Sequence, residues 1–238
     1  MKKIAFLILL LFPFFSVSQT TTIYFFPGQG ADRHLFDSLS IDGDYTKKVI
    51  EYGTPKKNTT MKAFAQEIAC QIDTTEAFIL VGVSLGGMIC VELNELVHPK
   101  KTILISSAKN VTELPFRYRF QQKIPIYKIV PGIMMLGFAK FLQPIVEPDS
   151  KKCKKTFQNM LSKKTGSYMK NSVSMIINWE RTTNSTELVH IHGTKDHTIP
   201  MRNIVEPVIQ VENGSHMMTL TNALVISDLL NLELQKIN

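Results

Sequence analysis

Cysteine is scarce in this chain, with three residues among 238, at positions 70, 90 and 153. Three cysteines allow at most one disulfide, and the odd number argues against the disulfide framework that stabilises many small exported domains. Cys70 and Cys90 lie in apolar helical runs, where we expect them to be buried as small hydrophobic residues. None of the three has the glycine-flanked context of a turn that presents a nucleophile, so a cysteine-based active site is not expected.

The chain also lacks the spacing of a metal site and the motifs of a nucleic-acid-binding protein. His190 and His192 alternate with apolar residues, which places both side chains on one face of a predicted strand. No Cys or carboxylate cluster with zinc spacing accompanies this pair. The formal net charge is +7, but charge alone does not indicate a nucleic-acid site. We therefore expect neither a bound metal nor a nucleic-acid partner.

The first 18 residues have the pattern of a secretory signal peptide. Two lysines precede the apolar run Ile4 to Phe15, and small residues suit cleavage after Ser18. The run is 12 residues long, whereas a membrane-spanning helix needs about 20, so an uncleaved anchor is the less favoured alternative. No cysteine follows that would carry a lipid anchor. The sequence thus predicts export to the periplasm or the extracellular space, with residues 19–238 forming one domain.

The most informative local pattern is a serine between two glycines. Gly82-Val83-Ser84-Leu85-Gly86 follows a continuously apolar stretch and leads into a helix-forming one. This G-x-S-x-G pattern is typical of a nucleophile elbow, a sharp strand-to-helix turn whose flanking residues must be small. The turn would raise the Ser84 hydroxyl at a helix N-terminus, where negative charge is favoured. A tight turn with an ordinary capping serine is the alternative interpretation.

Two later segments carry the groups that would activate such a serine. A serine hydroxyl needs an adjacent base, usually a histidine that a carboxylate orients. Asp196 lies in a short loop after a predicted strand, and His216 follows the next predicted strand. Glu113, which comes several residues after another strand, is the rival acid. Asp196 is favoured because Glu113 begins a segment that reads as an insertion.

From about residue 22 to its end, the chain resembles the α/β-hydrolase superfamily. The resemblance rests on the elbow Gly82-x-Ser84-x-Gly86-Gly87, on the loop Gly193-x-x-Asp196-x-x-Ile199-Pro200 and on Gly214-Ser215-His216. It implies that Ser84 is the nucleophile, Asp196 the acid and His216 the base, in the chain order of that superfamily.

The resemblance also implies an oxyanion hole made by two backbone N–H groups, those of Leu85 and Gln29. Family members commonly carry His-Gly-x after the first strand, and x donates one N–H. Here Pro27 stands in place of the histidine, so this part of the match is partial. A plain glycine-rich turn is the alternative interpretation of residues 27–30.

Short predicted strands alternate with helical stretches, which indicates a mostly parallel sheet of about six strands with helices on both faces. This is the α/β class, and the resemblance implies the α/β-hydrolase fold. We predict strands at 22–26, 47–52, 78–83, 102–106, 187–192 and 207–211, and helices near 61–71, 85–97 and 218–232. The alternation stops between about 110 and 181, where the resemblance implies a helical cap inserted after the sixth family strand.

The expected cap is both apolar and basic. Its apolar runs, 124–127 and 129–138, could cover an acyl pocket or could simply pack the cap onto the sheet. From Thr112 to Trp179 there are 12 lysines and arginines against three acidic residues. A solvated surface is the default meaning of such a balance. Attraction of an anionic substrate or of an anionic membrane surface is the sharper hypothesis.

Together these features predict a secreted serine hydrolase that cleaves carboxylic esters through an acyl-serine intermediate. Its substrate would be a small acyl compound with an apolar portion, and the chemistry requires no cofactor. A thioesterase, an amidase or an acyltransferase on the same scaffold is the alternative within enzymes, because a fold does not determine its chemistry. A binding protein that keeps the pocket without turnover is the alternative outside enzymes.

Overall fold

The computed structural model describes residues 20–146 and 150–237. The predicted signal segment, residues 1–18, lies outside the described residues, and export therefore stays a prediction. Within the described ranges, none of the helices combines the length and the hydrophobicity that a membrane span requires.

A parallel sheet organises the described part of the chain. Its six strands lie in the order β2-β1-β3-β4-β5-β6, and every neighbouring pair is parallel. The strands are β1 Thr21–Phe26, β2 Tyr45–Val49, β3 Phe78–Val83, β4 Lys101–Ile105, β5 Val189–Gly193 and β6 Ile209–Val211. The predicted sheet is confirmed. Three strands differ in their bounds by more than one residue: β2 begins two residues and ends three residues earlier than predicted, and β5 and β6 each begin two residues later.

In the ranges that the structure describes, six α-helices lie between strands of the sheet and two more follow the last strand. They are α1 Met61–Ala69, α2 Leu85–Val97, α3 Phe116–Lys123, α4 Gly132–Val146, α5 Ser150–Ser162, α6 Gly166–Ile177, α7 Met218–Thr221 and α8 Ala223–Gln235. The Thr60 hydroxyl accepts the Ala63 N–H at 3.1 Å and so caps α1. The single helix predicted at 218–232 is two helices, which meet at Asn222.

Apolar side chains pack on both faces of the sheet. Tyr24 and Leu80 belong to a cluster that α1 and α2 complete, whereas Ile23 and Ile79 belong to a cluster that α8 completes. Because successive strand residues point to opposite faces, β3 is apolar at nearly every position and buried throughout. The sheet is therefore covered by helices on both sides, as the sequence predicts.

Region 110–181, where the sequence predicts a cap, contains α3, α4, α5 and α6 among its described residues. Both α3 and α4 pack against α6. The end of this region is tied to α2 by a buried ion pair. Arg181 donates from Nε and Nη2 to the two carboxylate oxygens of Glu92, each at 2.9 Å, and the Trp179 indole N–H donates to Glu92 Oε1 at 2.8 Å. The helices between β4 and β5 are thus anchored to the sheet layer.

The cysteine prediction is right for Cys90 and wrong for Cys70. Cys90 is fully buried on α2, but Cys70 is exposed. The reason is that α1 ends at Ala69, so Cys70 is the residue that follows the helix and no longer belongs to its buried face.

Two glycines allow the ends of β5 and β6 to come together. A Cβ atom on Gly193 would lie 2.2 Å from the carbonyl oxygen of Gly214. The same carbonyl accepts the Lys195 N–H at 2.9 Å. This contact fixes the start of the loop that carries Asp196 beside the turn that leads to His216.

We predict that Gly193→Ala lowers the free energy of unfolding by about 1–3 kcal/mol or more, because backbone atoms cannot move aside as a flexible side chain can. Gly137→Ala is the matched control, since apart from the adjacent residues and the local backbone of α4 no atom lies within 4 Å of a Cβ at that position. It should be stabilising by up to about 1 kcal/mol, from helix propensity alone. Urea unfolding of both variants tests the contact, and equal stabilities would contradict it.

Candidate active site

Ser84 lies at the turn between β3 and α2, in a backbone conformation that non-glycine residues rarely adopt. Its φ is 53° and its ψ is −121°. Two contacts hold it there: the Ser84 N–H donates to the Ile105 carbonyl at 3.0 Å, and the Ser107 hydroxyl donates to the Ser84 carbonyl at 2.7 Å. Such strain persists only where the surroundings impose it, and it is concentrated at functional sites.

The flanking glycines make this turn sterically feasible. A Cβ on Gly86 would lie 2.1 Å from the carbonyl oxygen of Phe26, and a Cβ on Gly82 would lie 2.5 Å from the carbonyl oxygen of Gly86. Any side chain at either position would push α2 away from β1 or β3. The G-x-S-x-G spacing is thus explained by backbone close approach on both sides of the serine.

Asp196 lies in the loop after β5 and is 2% exposed. Its Oδ1 accepts the N–H groups of Thr198 and Ile199 at 2.8 and 2.7 Å, and its Oδ2 is 2.8 Å from His216 Nδ1. Burial by itself raises the pKa of Asp196, but the neighbouring His216 and these hydrogen bonds outweigh it and hold the pKa below its ordinary value. The carboxylate is therefore ionised near neutral pH.

His216 connects the carboxylate to the serine. Its Nε2 is 2.9 Å from Ser84 Oγ, while its Nδ1 faces Asp196. Because an ionised carboxylate only accepts, Nδ1 carries the proton, and Nε2 is then free to accept the Ser84 O–H. The structure thus brings the three predicted side chains into one hydrogen-bonded relay, although 132 residues separate Ser84 from His216.

The loop that carries Gln29 lies against Ser84. A Cβ on Gly28 would be 3.1 Å from Ser84 Cβ and 3.8 Å from Ser84 Oγ. Leu85 is the first residue of α2, so its N–H has no acceptor within the helix. The Gln29 side chain points to α6, where Nε2 donates to Ser172 Oγ at 2.7 Å. Both predicted N–H donors are thus on segments that adjoin the serine.

Tyr52 holds the loop that begins at Pro27. Its hydroxyl donates to the carbonyl of Pro27. Burial raises the pKa of Tyr52 well above its ordinary value, so the hydroxyl keeps its proton. The sequence did not indicate a role for Tyr52 at this site, because Tyr52 lies just after the edge strand β2 and far from every motif.

Glu113, the rival acid, is fully buried but is occupied elsewhere. Its oxygens accept the N–H groups of Lys109 at 2.6 Å and Val205 at 3.0 Å, and Lys109 Nζ lies 3.6 Å away. Burial raises the pKa of Glu113, although these N–H groups oppose the shift. It joins two loops, and Asp196 is the carboxylate that faces His216.

The two strand histidines are buried and contact each other. His192 Nδ1 is 3.1 Å from His190 Nε2, and His192 Nε2 is 2.8 Å from the carbonyl of Ile199. Among the described residues, no group of three potential metal ligands is present. His192 Nε2 also lies 3.4 Å from Asp196 Oδ2. This histidine therefore packs behind the acid loop, a role that its alternation on β5 beside Asp196 could have suggested.

A cavity of about 430 Å³ opens at Ser84 and His216. The residues that line it include Met88 of α2 and, from the helices between β4 and β5, Leu161, Met169 and Ile176. Most of its wall is apolar. The relay therefore lies at the polar end of a pocket that suits an apolar group.

No protein-family model matches the chain, and no curated protein matches it in sequence. Solved structures do match in fold. A thermophilic esterase from Thermogutta terrifontis is 13% identical with a TM-score of 0.62, over 92% of this chain and 91% of that one. A lipase-esterase related protein from Clostridium acetobutylicum is 15% identical with a TM-score of 0.64, over 90% and 94%. The enol-lactonase from Burkholderia xenovorans is 12% identical with a TM-score of 0.68, over 89% and 90%.

The free energy of unfolding should depend on pH, because His190 is buried beside His192. Burial holds the pKa of His190 well below its ordinary value, and His192 and Lys109 act in the same direction. Below pH of about 6.5 the unfolded chain binds a proton that the folded chain does not. The free energy of unfolding should therefore fall as the pH is lowered, by up to about 1.4 kcal/mol per pH unit for this residue.

His190→Gln removes this titration, so the variant should lose less stability than the wild type between pH 6.5 and 5. Glu113, whose raised pKa acts in the opposite direction, is present in both proteins and does not affect the difference. Urea unfolding across this pH range measures it. The same slope in both proteins would contradict a buried, neutral His190.

Proposed function

We propose that this chain, which has the α/β-hydrolase fold, is an exported serine hydrolase that cleaves carboxylic esters. The observation that carries the proposal is the continuous relay from Asp196 Oδ2 through His216 to Ser84 Oγ, with contacts of 2.8 and 2.9 Å. A serine in a strained turn, at hydrogen-bond distance from an imidazole, is arranged for nucleophilic attack.

In the proposed mechanism His216 Nε2 takes the Ser84 proton while Oγ attacks the ester carbonyl. The ionised Asp196 keeps the proton of His216 on Nδ1 and stabilises the imidazolium that forms. The N–H groups of Leu85 and Gln29 bind the oxygen that becomes negative, and the N-terminus of α2 favours that charge. His216 then protonates the leaving alcohol, and water attacks the acyl-serine by the same path in reverse.

The cavity supports an ester with an apolar acyl portion. Its wall is largely apolar side chains, and burying such a chain there is favourable by about 25 cal/mol per Å². The three neighbours in fold are described as an esterase, a lipase-esterase related protein and an enol-lactonase. Those activities belong to those proteins, and they are consistent with ester chemistry here.

We predict that Ser84→Ala lowers turnover of a short p-nitrophenyl ester at least about 10⁴-fold, because no other hydroxyl replaces the nucleophile. Asp196→Asn should lower it to a comparable extent, because the amide cannot impose the same proton position on His216. Ser162→Ala, which changes an exposed serine at the end of α5, is the control and should keep wild-type activity.

A fluorophosphonate probe gives a second measurement on the same variants. It should label the wild-type protein at Ser84, and it should not label the Ser84→Ala variant. A folded wild-type protein that neither reacts with the probe nor hydrolyses esters, thioesters or amides would instead be a binding protein. Turnover of thioesters or amides in preference to esters would contradict the proposed bond specificity.

Ala139 provides a test of the acyl pocket. This half-buried residue of α4 lines the cavity. Ala139→Phe should reduce kcat/KM for long-chain p-nitrophenyl esters about tenfold or more, since a filled pocket excludes methylene groups that each contribute about 0.8 kcal/mol. The acetate ester should be affected much less. An equal loss for both esters would contradict the placement of the acyl chain.

A further inference from the structure

The outer side of α3, α4 and the segment between them carries a concentration of exposed apolar side chains. Nine of the 13 large hydrophobic residues that are exposed in the described ranges lie between positions 116 and 141. We define the α3–α4 surface by six of them that are at least half exposed: Phe116, Ile124, Ile129, Ile133, Phe138 and Phe141. Monomeric soluble proteins seldom leave so many neighbouring apolar side chains open unless the surface binds something.

Helix α4 is apolar on two opposite faces. Leu136 and Ala139 face inward, and Leu136 is 8% exposed. Ile133, Phe138 and Phe141 recur at helical spacing on the opposite face and are 70%, 51% and 74% exposed. A helix that is apolar all round normally has an apolar partner on each side. In the described part of the chain, nothing covers the outer face.

The charges around this surface indicate what covers it. Between Leu114 and Val146 the sequence has five basic residues and no acidic one. Arg119, Lys123, Lys128 and Lys140 are exposed among the apolar side chains. A second copy docked through the same surface would bring like charges together, whereas an anionic phospholipid surface complements both the charge and the apolar side chains.

The helices that carry the α3–α4 surface also form part of the cavity wall. Tyr118 of α3 and Ala139 of α4 line the cavity that contains Ser84, and the defined surface lies on the other side of the same helices. A membrane bound by this surface would therefore lie one helix layer away from the cavity, which keeps a source of acyl groups close to the serine.

We propose that the α3–α4 surface binds the headgroup region of an anionic phospholipid bilayer and that the protein takes its acyl substrate from there. The helices would lie in the plane of the membrane, with their apolar side chains inserted and their lysines and arginines at the phosphates. Membrane binding stands by itself, whereas the use of membrane-held substrate rests on the proposed hydrolase function.

The test is flotation of the full-length protein with phosphatidylcholine vesicles, with and without phosphatidylglycerol. Binding is expected to the mixed vesicles and to weaken with added NaCl. Ile133→Ser/Phe138→Ser/Phe141→Ser should lower binding at least about tenfold, because each side chain loses its apolar burial. Leu224→Ser/Leu232→Ser on α8 is the matched control, since these residues are 80% and 54% exposed. It should bind as the wild type does.

A second pair of variants tests the charge without touching the apolar side chains. Lys123→Gln/Lys140→Gln should lower binding about fivefold for each charge removed. Lys57→Gln/Lys62→Gln removes two exposed lysines elsewhere, and it should lower vesicle binding only as far as the smaller net charge of the protein does. Equal binding of the wild type to neutral and mixed vesicles, or equal binding of the triple serine variant, would overturn the proposal. So would a wild-type dimer in solution that the triple variant dissociates.

The esterase assay separates this proposal from the proposed function. All surface variants should hydrolyse a water-soluble acetate ester as fast as the wild type, and Ser84→Ala should bind vesicles normally while hydrolysing nothing. If no ester is hydrolysed but binding behaves as expected, the hydrolase function fails and the membrane surface stands. If hydrolysis is normal but no vesicle is bound, the membrane surface fails and the hydrolase stands.

Discussion

Close approach of backbone segments at the carboxyl edge of the sheet is the constraint on which the site depends. Gly86 lets the start of α2 touch the end of β1, and Gly193 lets the end of β5 touch Gly214. The first contact sets the position of Ser84 relative to the edge of the sheet, and the second brings the loops of Asp196 and His216 together. Since a hydrogen bond weakens steeply beyond about 3.2 Å, an added methyl group at either contact is enough to separate the relay.

Once the backbones are in place, burial determines the protonation states. Asp196 is removed from water, which alone would favour its neutral form, but two backbone N–H groups and the imidazole keep it ionised. His192 is held by the carbonyl of Ile199, in the same loop. Asp196 is thus held on one side by the loop that His192 of β5 contacts and on the other side by His216. A carboxylate fixed in this way gives His216 a single orientation.

The sequence was sufficient for the sheet and for the relay because both depend on local patterns. The apolar run of β3 and the glycines around Ser84 carry their own signals, and so do the short loops at Asp196 and His216. Burial at the ends of elements had no such signal. Cys70 was expected to be buried and is exposed, because one residue at the end of α1 decides the outcome. Tyr52 supports the Pro27 loop through a contact that only folding creates.

Side-chain exposure in region 110–181 was likewise not predictable from the sequence. Lysines are densest at residues 151–155 of the sequence, but apolar exposure is concentrated on α3 and α4, where the basic residues are more widely spaced. Inward packing accounts for Leu136, which lies in a buried cluster with Leu161 and Met169, and for Ala139, which lines the cavity. It does not account for Ile133, Phe138 and Phe141. The proposed membrane contact of the α3–α4 surface would account for their exposure.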